Sequence, residues 1–341
     1  MRILIVMDPG ILVPPKGYGG HERLVYMFAK EYCRLGHDVE LLVTKGSVVE
    51  GCVVHGYGKE GFPSTKWQQR KAVPYVWLFL FKNRSKYDMV HNFGRLAYLL
   101  PILNSPVKKI MTYGREIWSP NIRSILRFKH DNLIFTGCSA NLISRVEAAG
   151  NWEAVHNAID FKKFSVVTDL NISDSPLIFL GRIERIKGCH TAIEVAKITG
   201  RKLLIAGNIS KLPEEIHYFE SEIKPHIDGE NVEFVGEVND VQKNELLGKS
   251  AAFLMPIEWN EPFGIVMIEA MACGTPVIAF PYGSVPEVVE EGITGFVVRD
   301  SQEMIHAVSR INQIDRSLCR QTAERRFDVS VIAKEYLSLF D

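Results

Sequence analysis

The sequence has few of the features that would set it apart from ordinary globular proteins. Its six cysteines are scattered along 341 residues without a C-x-x-C spacing, so neither a zinc site nor a disulfide framework is predicted. The longest aromatic-aliphatic run, YVWLFLF at 75–81, is far shorter than the roughly 20 residues that span a bilayer. Lys plus Arg and Asp plus Glu both number 40, which argues against a general nucleic-acid-binding protein. We expect reduced thiols, a cytoplasmic location and no nucleic-acid partner.

The amino terminus also lacks the pattern of a signal peptide. In MRILIVMDPG the apolar run breaks at Asp8-Pro9, before it reaches the length of an h-region, and no small-residue cleavage site follows. We interpret this run as a first β-strand.

Charge is unevenly divided along the chain. Residues 1–160 carry 21 Lys and Arg against 13 Asp and Glu, whereas the remainder carries 19 against 27. The basic half suggests an anionic acceptor or a membrane surface. Cations flank the aromatic run at Lys66, Arg70, Lys71, Lys82, Arg84 and Lys86. Two interpretations remain open: a basic amphipathic patch in peripheral contact with an anionic membrane, and a buried helix under the sheet with solvated charges.

Short apolar segments alternate with helical patterns along the whole chain. Predicted strands cover 2–7, 38–43, 88–92, 108–113, 132–139, 176–181, 202–207, 231–236, 251–256, 275–280 and 295–298, and the first helix covers about 22–35. Continuous apolar strands separated by helices indicate parallel sheets covered on both faces. The fold class is therefore α/β, with two doubly wound domains in tandem.

The domain boundary is predicted in the region of the polar stretch VTDLNISDSP at 167–176. We assign 1–165 to the first domain and 166–325 to the second. We expect the last segment, 326–341, to be a helix that packs back on the first domain.

The first loop of interest is PPKGYGGHERL, which follows the first strand. Gly17, Gly19 and Gly20 have no Cβ, so backbone amides can approach a ligand where a helix begins. The pattern does not match G-x-G-x-x-G, and a flexible turn without a ligand remains an equal alternative.

The second loop is FLGRIERIKG, between a strand and a helix. Gly181 and Arg182 lie at the strand end, and Lys187 and Gly188 open the helix. Two cations at this spacing beside a helix start can clamp a diphosphate. A solvated loop in which Glu184 pairs with one of the cations is the alternative.

The third loop is EPFGIVMIEAMACGTPVIAF at 261–280. Pro262 suits the first helical position, so the helix is predicted to begin at about Phe263. The amides of Phe263, Gly264 and Ile265 would then be available to an anion. Glu261 and Glu269, before and within this helix, could each hold the hydroxyls of one polyol beside that anion. The alternative is one glutamate that favours the helix dipole and one exposed helix glutamate.

These residues resemble a known family. The 261–280 stretch, followed by GSVPEVVEEGITGFVV at 283–298, is similar to the nucleotide-sugar signature of the retaining glycosyltransferases of family 4, also called group 1, which have the GT-B fold. GGHERLVYMFAKEYCRLGHDVELLV, YDMVHNF, VHNAIDFKKF and FLGRIERIKG resemble other segments of that family. The resemblance implies two Rossmann-like domains that face each other across a cleft, the first binding the acceptor and the second the nucleotide sugar.

The resemblance also implies roles for individual residues. Glu269 would bind the donor ribose, Arg182 and Lys187 the diphosphate, and Glu261 the sugar hydroxyls at the reacting end. The amides at Phe263, Gly264 and Ile265 would bind the phosphate or the transferred sugar. The remaining donor contacts are expected at Gly19, Gly20, Gly181, Glu237 and Val238, the last two beside the nucleobase.

One loop departs from the family pattern. Members commonly carry a histidine after the strand that ends here at KKIMTY, whereas this chain reads MTYGREI. His91, His21 and Arg115 are the candidates to replace that histidine, and His91 is the one we include among the catalytic residues.

The resulting hypothesis is a retaining hexosyltransferase that uses no cofactor. The chain has no D-x-D triplet to hold a divalent ion, so a metal-independent reaction is expected, with cations and helix amides offsetting the leaving-group charge. The donor would be a UDP- or GDP-linked sugar, and the acceptor a glycan, a lipid-linked sugar or a small molecule. A glycoside hydrolase that uses Glu261 and Glu269, and a non-catalytic nucleotide-sugar-binding module, remain the alternatives.

Overall fold

The computed structural model describes residues 1–17, 19–61, 66–128, 130–167 and 169–341. The chain forms two compact units: unit 1 comprises Met1–Ala158 and Val329–Asp341, and unit 2 comprises Ile159–Asp328. Within the described ranges, no helix is both long enough and apolar enough to cross a membrane.

Unit 1 is built on a parallel sheet. Its described strands are β1 (Arg2–Val6), β2 (Asp38–Thr44), β3 (Val53–Tyr57), β4 (Met89–Asn92), β5 (Lys108–Tyr113), β6 (Leu133–Gly137) and β7 (Trp152–Ala154). Its described α-helices are α1 (Gly20–Arg34), α2 (Lys66–Asn83), α3 (Ser119–Ile125), α4 (Ala140–Ser144) and, from the end of the chain, α12 (Val329–Ser338). The strand order 3-2-1-4-5-6-7 reverses direction between β1 and β4, which is typical of a doubly wound sheet.

Helix α12 belongs to the core of unit 1. Its Tyr336 is buried, and the ring meets Phe28 of α1 edge to face, with 5.2 Å between the ring centroids. Aromatic pairs in this geometry add to the stabilisation that burial alone provides. The carboxy-terminal helix therefore completes a core that begins with the first helix of the chain.

Unit 2 repeats the same architecture. Its described strands are β8 (Leu177–Leu180), β9 (Leu203–Ala206), β10 (Val232–Gly236), β11 (Ala252–Met255), β12 (Val277–Ala279) and β13 (Gly295–Val297), in the order 10-9-8-11-12-13. Its described α-helices are α5 (Cys189–Thr199), α6 (Pro213–Tyr218), α7 (Asp240–Lys249), α8 (Ile265–Ala272), α9 (Val285–Val288), α10 (Ser301–Val308) and α11 (Arg316–Phe327). The order reverses between β8 and β11, and the loops after these strands therefore open on the switch point where ligands bind in such sheets.

The division between the units does not fall at the predicted 165/166 boundary. It falls before Ile159, because the segment that follows is bonded to unit 2. Arg320 of α11 donates hydrogen bonds to the carbonyl oxygens of Phe161 at 2.8 Å and Phe164 at 2.9 Å. The boundary was predicted from the polar composition of residues 167–176. The contacts that hold residues 159–165 to unit 2 come from Arg320, more than 150 positions away, and such contacts leave no local signal in the sequence.

Each predicted strand is present, and two further strands, β3 and β7, were not predicted. Strand β3 is largely half-exposed and contains His55 and Gly56, and β7 has only three residues, so neither shows a continuous apolar run.

Helix α2, which contains the aromatic run, is not fully buried as one interpretation required. Only one of its sides packs into the core, with Val76 and Leu80 buried, while Leu78 is 55% exposed.

All six cysteines are free thiols in this structure. Their scattered spacing gave no sign that two of them meet in the fold. The sulfur atoms of Cys33, near the end of α1, and Cys52, before β3, lie 3.0 Å apart.

Arg316 gives a stability test for unit 2. This buried side chain donates hydrogen bonds to the carbonyl oxygens of Val167, Ser250 and Gly248 at 2.8–3.0 Å. Arg316→Met should lower the free energy of unfolding by about 3–5 kcal/mol in chemical denaturation, because it leaves these buried acceptors without a donor. Arg299→Met is the matched control, since this side chain is 82% exposed and its loss should cost less than about 1 kcal/mol. Equal losses in the two variants would contradict this account.

Candidate active site

The loops after β8 and β11 touch each other at the switch point of the unit 2 sheet. The amide of Glu258 donates a hydrogen bond of 2.9 Å to the carbonyl oxygen of Ile186, which joins the two loops directly. Gly188 has a φ of 75°, and a Cβ at this position would lie 2.0 Å from the carbonyl oxygen of Pro256. Only glycine permits this approach, so the predicted helix-opening glycine is required by the packing of the two loops.

Lys187 and Glu261, one from each loop, form an ion pair. The ammonium nitrogen lies 2.5 Å from Glu261 Oε2, and the two side chains are 17% and 14% exposed. Trp259 closes the cluster: its indole nitrogen donates to the same carboxylate oxygen at 3.1 Å, and its ring centroid is 4.7 Å from the ammonium. The sequence assigned Lys187 and Glu261 to different parts of a donor, and it gave Trp259 no role.

The helix after Glu261 begins later than predicted. Helix α8 starts at Ile265, with Gly264 as its N-cap at a φ of 74°, rather than at about Phe263. Phe263 is instead buried, and its carbonyl oxygen accepts a 2.7 Å hydrogen bond from the hydroxyl of Ser284. The loop ends at Gly264, which adopts a left-handed conformation. The preference of proline for the first helical position led to the earlier predicted start and gave no sign of this turn. The amides of Ile265 and Val266 precede the first hydrogen bond of the helix, which the amide of Met267 donates to the carbonyl oxygen of Gly264 at 2.9 Å.

Glu269, within α8, pairs with a lysine that the sequence did not single out. The ammonium group of Lys243, from α7, contacts Glu269 Oε1, and the two side chains are 18% and 12% exposed. The same ammonium lies 3.5 Å from Asp240. Glu269 lies in the apolar segment MIEAMA, where a charged group needs a partner. The sequence could not identify this partner, because α7 and α8 meet only in the folded protein.

Arg182 lies at the end of β8 and is half-exposed. Its guanidinium forms a 2.8 Å ion pair with Glu184, which is itself buried, as the solvated-loop alternative for this segment supposed. Gly181 precedes it, and a Cβ there would meet nothing within 4 Å. There is therefore space for a ligand beside the Cα of Gly181, and the Arg182 guanidinium that would meet an anion already contacts Glu184.

Glu237 and Val238 follow β10, at the same edge of the sheet. Glu237 is exposed and Val238 is half-buried. Asn239 then caps α7 by accepting a 3.0 Å hydrogen bond from the amide of Gln242. This cap fixes the start of α7, the helix that carries Lys243. Glu237 and Val238 thus lie directly before the helix whose lysine contacts Glu269.

Gly19 and Gly20 lie in unit 1, at the start of α1. Gly19 is the N-cap with a φ of 152°, and a Cβ there would lie 2.8 Å from Pro15 Cβ. Gly20 has no such restriction, since a Cβ would meet nothing within 4 Å. Tyr18, within the same predicted glycine turn, lies outside the described residues.

His91 does not fit the catalytic role predicted for it. Its ring is completely buried between Phe93 and Tyr336, with centroid distances of 4.2 and 4.5 Å. Nδ1 lies 3.0 Å from the hydroxyl of Tyr32, and Nε2 lies 2.9 Å from the hydroxyl of Thr112. Burial lowers the pKa of His91 to about 3, so the ring is neutral at physiological pH. These contacts give His91 a packing role in the core of unit 1.

His21 is the candidate that lies at the loop after β5. A Cβ built on Gly114 would lie 2.0 Å from His21 Nε2, so the imidazole fills the space that a side chain at Gly114 would occupy. Burial and the neighbouring charge of Arg115 lower the pKa of His21, which favours a neutral ring. Glycine in MTYGREI is thus the complement of a histidine supplied by α1.

This fit between His21 and Gly114 can be tested by stability measurements. Gly114→Ala should destabilise the protein by about 1–3 kcal/mol, because the new methyl group overlaps the imidazole. In the double variant with His21→Ala the two losses should be clearly less than additive, since the overlap disappears. Gly20→Ala is the control, with a near-neutral effect expected at an open position. Additive losses in chemical denaturation would show that the two residues do not share this space.

The chain is similar to known proteins in sequence and in fold. The family model for the glycosyl transferases group 1 matches residues 160–325, which lie within unit 2. The chain is 30% identical over 224 residues to the N-acetyl-alpha-D-glucosaminyl L-malate synthase of Bacillus anthracis, an alignment that covers 59% of this chain and 57% of the relative.

Solved structures resemble the chain over its whole length. The sucrose-phosphate synthase of Thermosynechococcus elongatus matches with a TM-score of 0.76 and 21% identity, over 100% of this chain and 98% of that one. Anabaena HepE in complex with UDP and glucose matches with a TM-score of 0.70 and 19% identity, over 99% and 98%. The two doubly wound parallel sheets are those of the GT-B fold. Residues 160–325 therefore match the glycosyl transferases group 1 family, and the chain as a whole has the GT-B fold.

Proposed function

We propose that this enzyme transfers a hexose from a nucleotide diphosphate sugar to an acceptor hydroxyl, with retention of configuration and without a metal ion. The observation that carries the proposal is the pair of lysine–glutamate contacts, Lys187 with Glu261 and Lys243 with Glu269, before and within α8. They combine cations suited to phosphate with carboxylates suited to hydroxyl groups, beside the first turn of a helix.

The donor would lie along the edge of the unit 2 sheet. Arg182 and Lys187 would hold the diphosphate together with the first amides of α8. Glu269 would accept hydrogen bonds from the ribose, and Glu261 from the transferred sugar. Glu237 and Val238 would lie beside the base. The HepE structure contains UDP, and this supports a uridine nucleotide as the first donor to test, with GDP-linked sugars as the second choice.

The reaction would proceed on one face of the sugar. The acceptor hydroxyl forms a bond to the anomeric carbon as the bond from that carbon to the phosphate oxygen breaks. The hydroxyl proton passes to the departing phosphate, so atoms and charges balance without an additional base. Arg182 and Lys187 would stabilise the negative charge that develops on the departing diphosphate in the transition state.

The rival functions fit the site less well. A glycoside hydrolase needs one of its two carboxyl groups to donate a proton. Here both carboxylates contact lysine side chains, and a hydrolase has no use for these cations beside the start of a helix. A non-catalytic binding module would need the ribose and phosphate contacts but would have no use for Glu261 at the reacting end.

The acceptor and the location are also proposals. We propose a hydroxyl on a glycan, a lipid-linked sugar or a small molecule as the acceptor. Six free thiols support a reducing compartment. The proposed location is therefore the cytoplasm, including the inner face of the membrane.

Calorimetry can separate the phosphate contacts from the ribose contact. Arg182→Ala and Lys187→Ala should each weaken the binding of UDP and of inorganic pyrophosphate by about tenfold or more, because each removes a charge-assisted hydrogen bond. Glu269→Gln should weaken UDP binding but leave pyrophosphate binding unchanged, since pyrophosphate has no ribose.

Arg185→Ala is the matched control for these variants. Arg185 lies in the same loop as Arg182 and Lys187 but pairs with Glu222 of the neighbouring helical segment. Its loss should change nucleotide affinity by less than about twofold. No binding of UDP, GDP or ADP by the unaltered enzyme, or equal effects of all the variants on pyrophosphate, would overturn the proposed donor site.

Metal removal tests the proposed leaving-group chemistry. With side chains and amides in place of an ion, turnover of the donor sugar should be unchanged after EDTA treatment and dialysis. The measurement is release of the nucleoside diphosphate from a panel of nucleotide sugars, before and after chelation. Loss of turnover that returns only with magnesium or manganese would show that the reaction depends on a metal.

A further inference from the structure

Helix α2 of unit 1 has two different faces. Ala72, Val76 and Leu80 are buried in the core, packed among residues of the sheet. On the other side, large apolar side chains face solvent. We call this the α2 apolar face, and it comprises Tyr75, Trp77, Leu78 and Phe81, which are 48%, 37%, 55% and 54% exposed.

The exposed residues are ordered rather than scattered. Trp77, Leu78 and Phe81 follow Pro74 at spacings of three, four and seven residues, which places them in one stripe at 3.6 residues per turn. Trp77 is fixed in this stripe by a 2.7 Å hydrogen bond from its indole nitrogen to the carbonyl oxygen of Ala97. Single exposed apolar residues are common on proteins, whereas a continuous stripe of this size marks a contact surface.

Cations border the stripe. Arg70, Lys82 and Arg84 are exposed at its sides, and the guanidinium carbon of Arg84 lies 4.3 Å from the centroid of the Phe81 ring. Lys86 is held instead by Glu40, at 2.6 Å. The side chain of Lys66 lies outside the described residues. The sequence from 61 to 87 contains no Asp or Glu, so these cations have no acidic neighbour in their own segment.

We infer that the α2 apolar face rests on a membrane surface that carries anionic lipids. Aromatic and aliphatic side chains would enter the headgroup region, where indole and phenol rings are favoured, while Arg70, Lys82 and Arg84 would meet lipid phosphates. A second copy of the chain suits the face less well. In a symmetric dimer through α2 the same basic border would face itself, and like charges would oppose the contact.

This contact goes beyond the proposed transfer reaction. It involves a helix of unit 1, whereas the proposed donor site is built from residues of unit 2. Changes on α2 should therefore leave binding of UDP unchanged in calorimetry, and the two proposals can fail separately.

The test is sedimentation of the full chain with lipid vesicles. Vesicles of equal parts phosphatidylcholine and phosphatidylglycerol should carry the protein down, whereas pure phosphatidylcholine should retain much less. Added salt should weaken the binding, because it screens the cations. Leu78→Ser with Phe81→Ser should lower the ratio of bound to free protein by about tenfold or more, and Arg70→Glu with Lys82→Glu should do the same on the anionic vesicles.

The control replaces equally exposed apolar residues elsewhere. Ile198→Ser with Leu212→Ser, at 57% and 53% exposure, should bind vesicles like the unaltered protein. Thermal melting should show that all these surface variants remain folded. Absence of binding to anionic vesicles, or equal binding by the unaltered protein and the Leu78/Phe81 variant, would overturn the proposal. A dimer in gel filtration that the Leu78/Phe81 substitutions dissociate, without lipid binding, would identify the face as a self-interface instead.

Discussion

The contact between Lys187 and Glu261 is the interaction on which the rest of the site depends. It joins the loops after β8 and β11, which are the two strand ends at the switch point of the sheet. Gly188 allows the loops to approach, and Gly264 turns the chain into α8 immediately after Glu261. The charged groups and the helix start are thus positioned by the same few backbone constraints. The proposed contacts to the donor depend on this loop packing.

The cations of the candidate site are each paired with a carboxylate. Arg182, Lys187 and Lys243 each contact a carboxylate, on Glu184, Glu261 and Glu269 respectively. In the proposed donor site, Arg182 and Lys187 would therefore meet a diphosphate while each already contacts a carboxylate. The net gain from each contact is the difference between two ion pairs, so affinity will be smaller than the number of cations suggests. In return, the site avoids isolated charges in a partly buried position.

The sequence predicted the local elements well and the long-range partners poorly. The strands were found because both sheet faces are covered and the runs are therefore continuously apolar. The loops with Arg182, Lys187 and Glu261 were found because glycine and charge follow those strands. Lys243 was missed because its partner lies on another helix, and the catalytic role predicted for His91 failed because burial depends on α12. In each case the deciding contact joins residues that are distant in sequence, and no local pattern reports it.

The return of α12 to unit 1 has a consequence for how the protein is made. Unit 2 is continuous in sequence, so a ribosome releases all of it before the last helix of unit 1 emerges. Until then Phe28 and His91 lack the ring of Tyr336 that packs against them in the finished protein. Because domains fold as units during synthesis, the nascent chain should complete its second domain first and close its first domain last. The core of unit 1 is thus completed only after the whole of unit 2 has been translated.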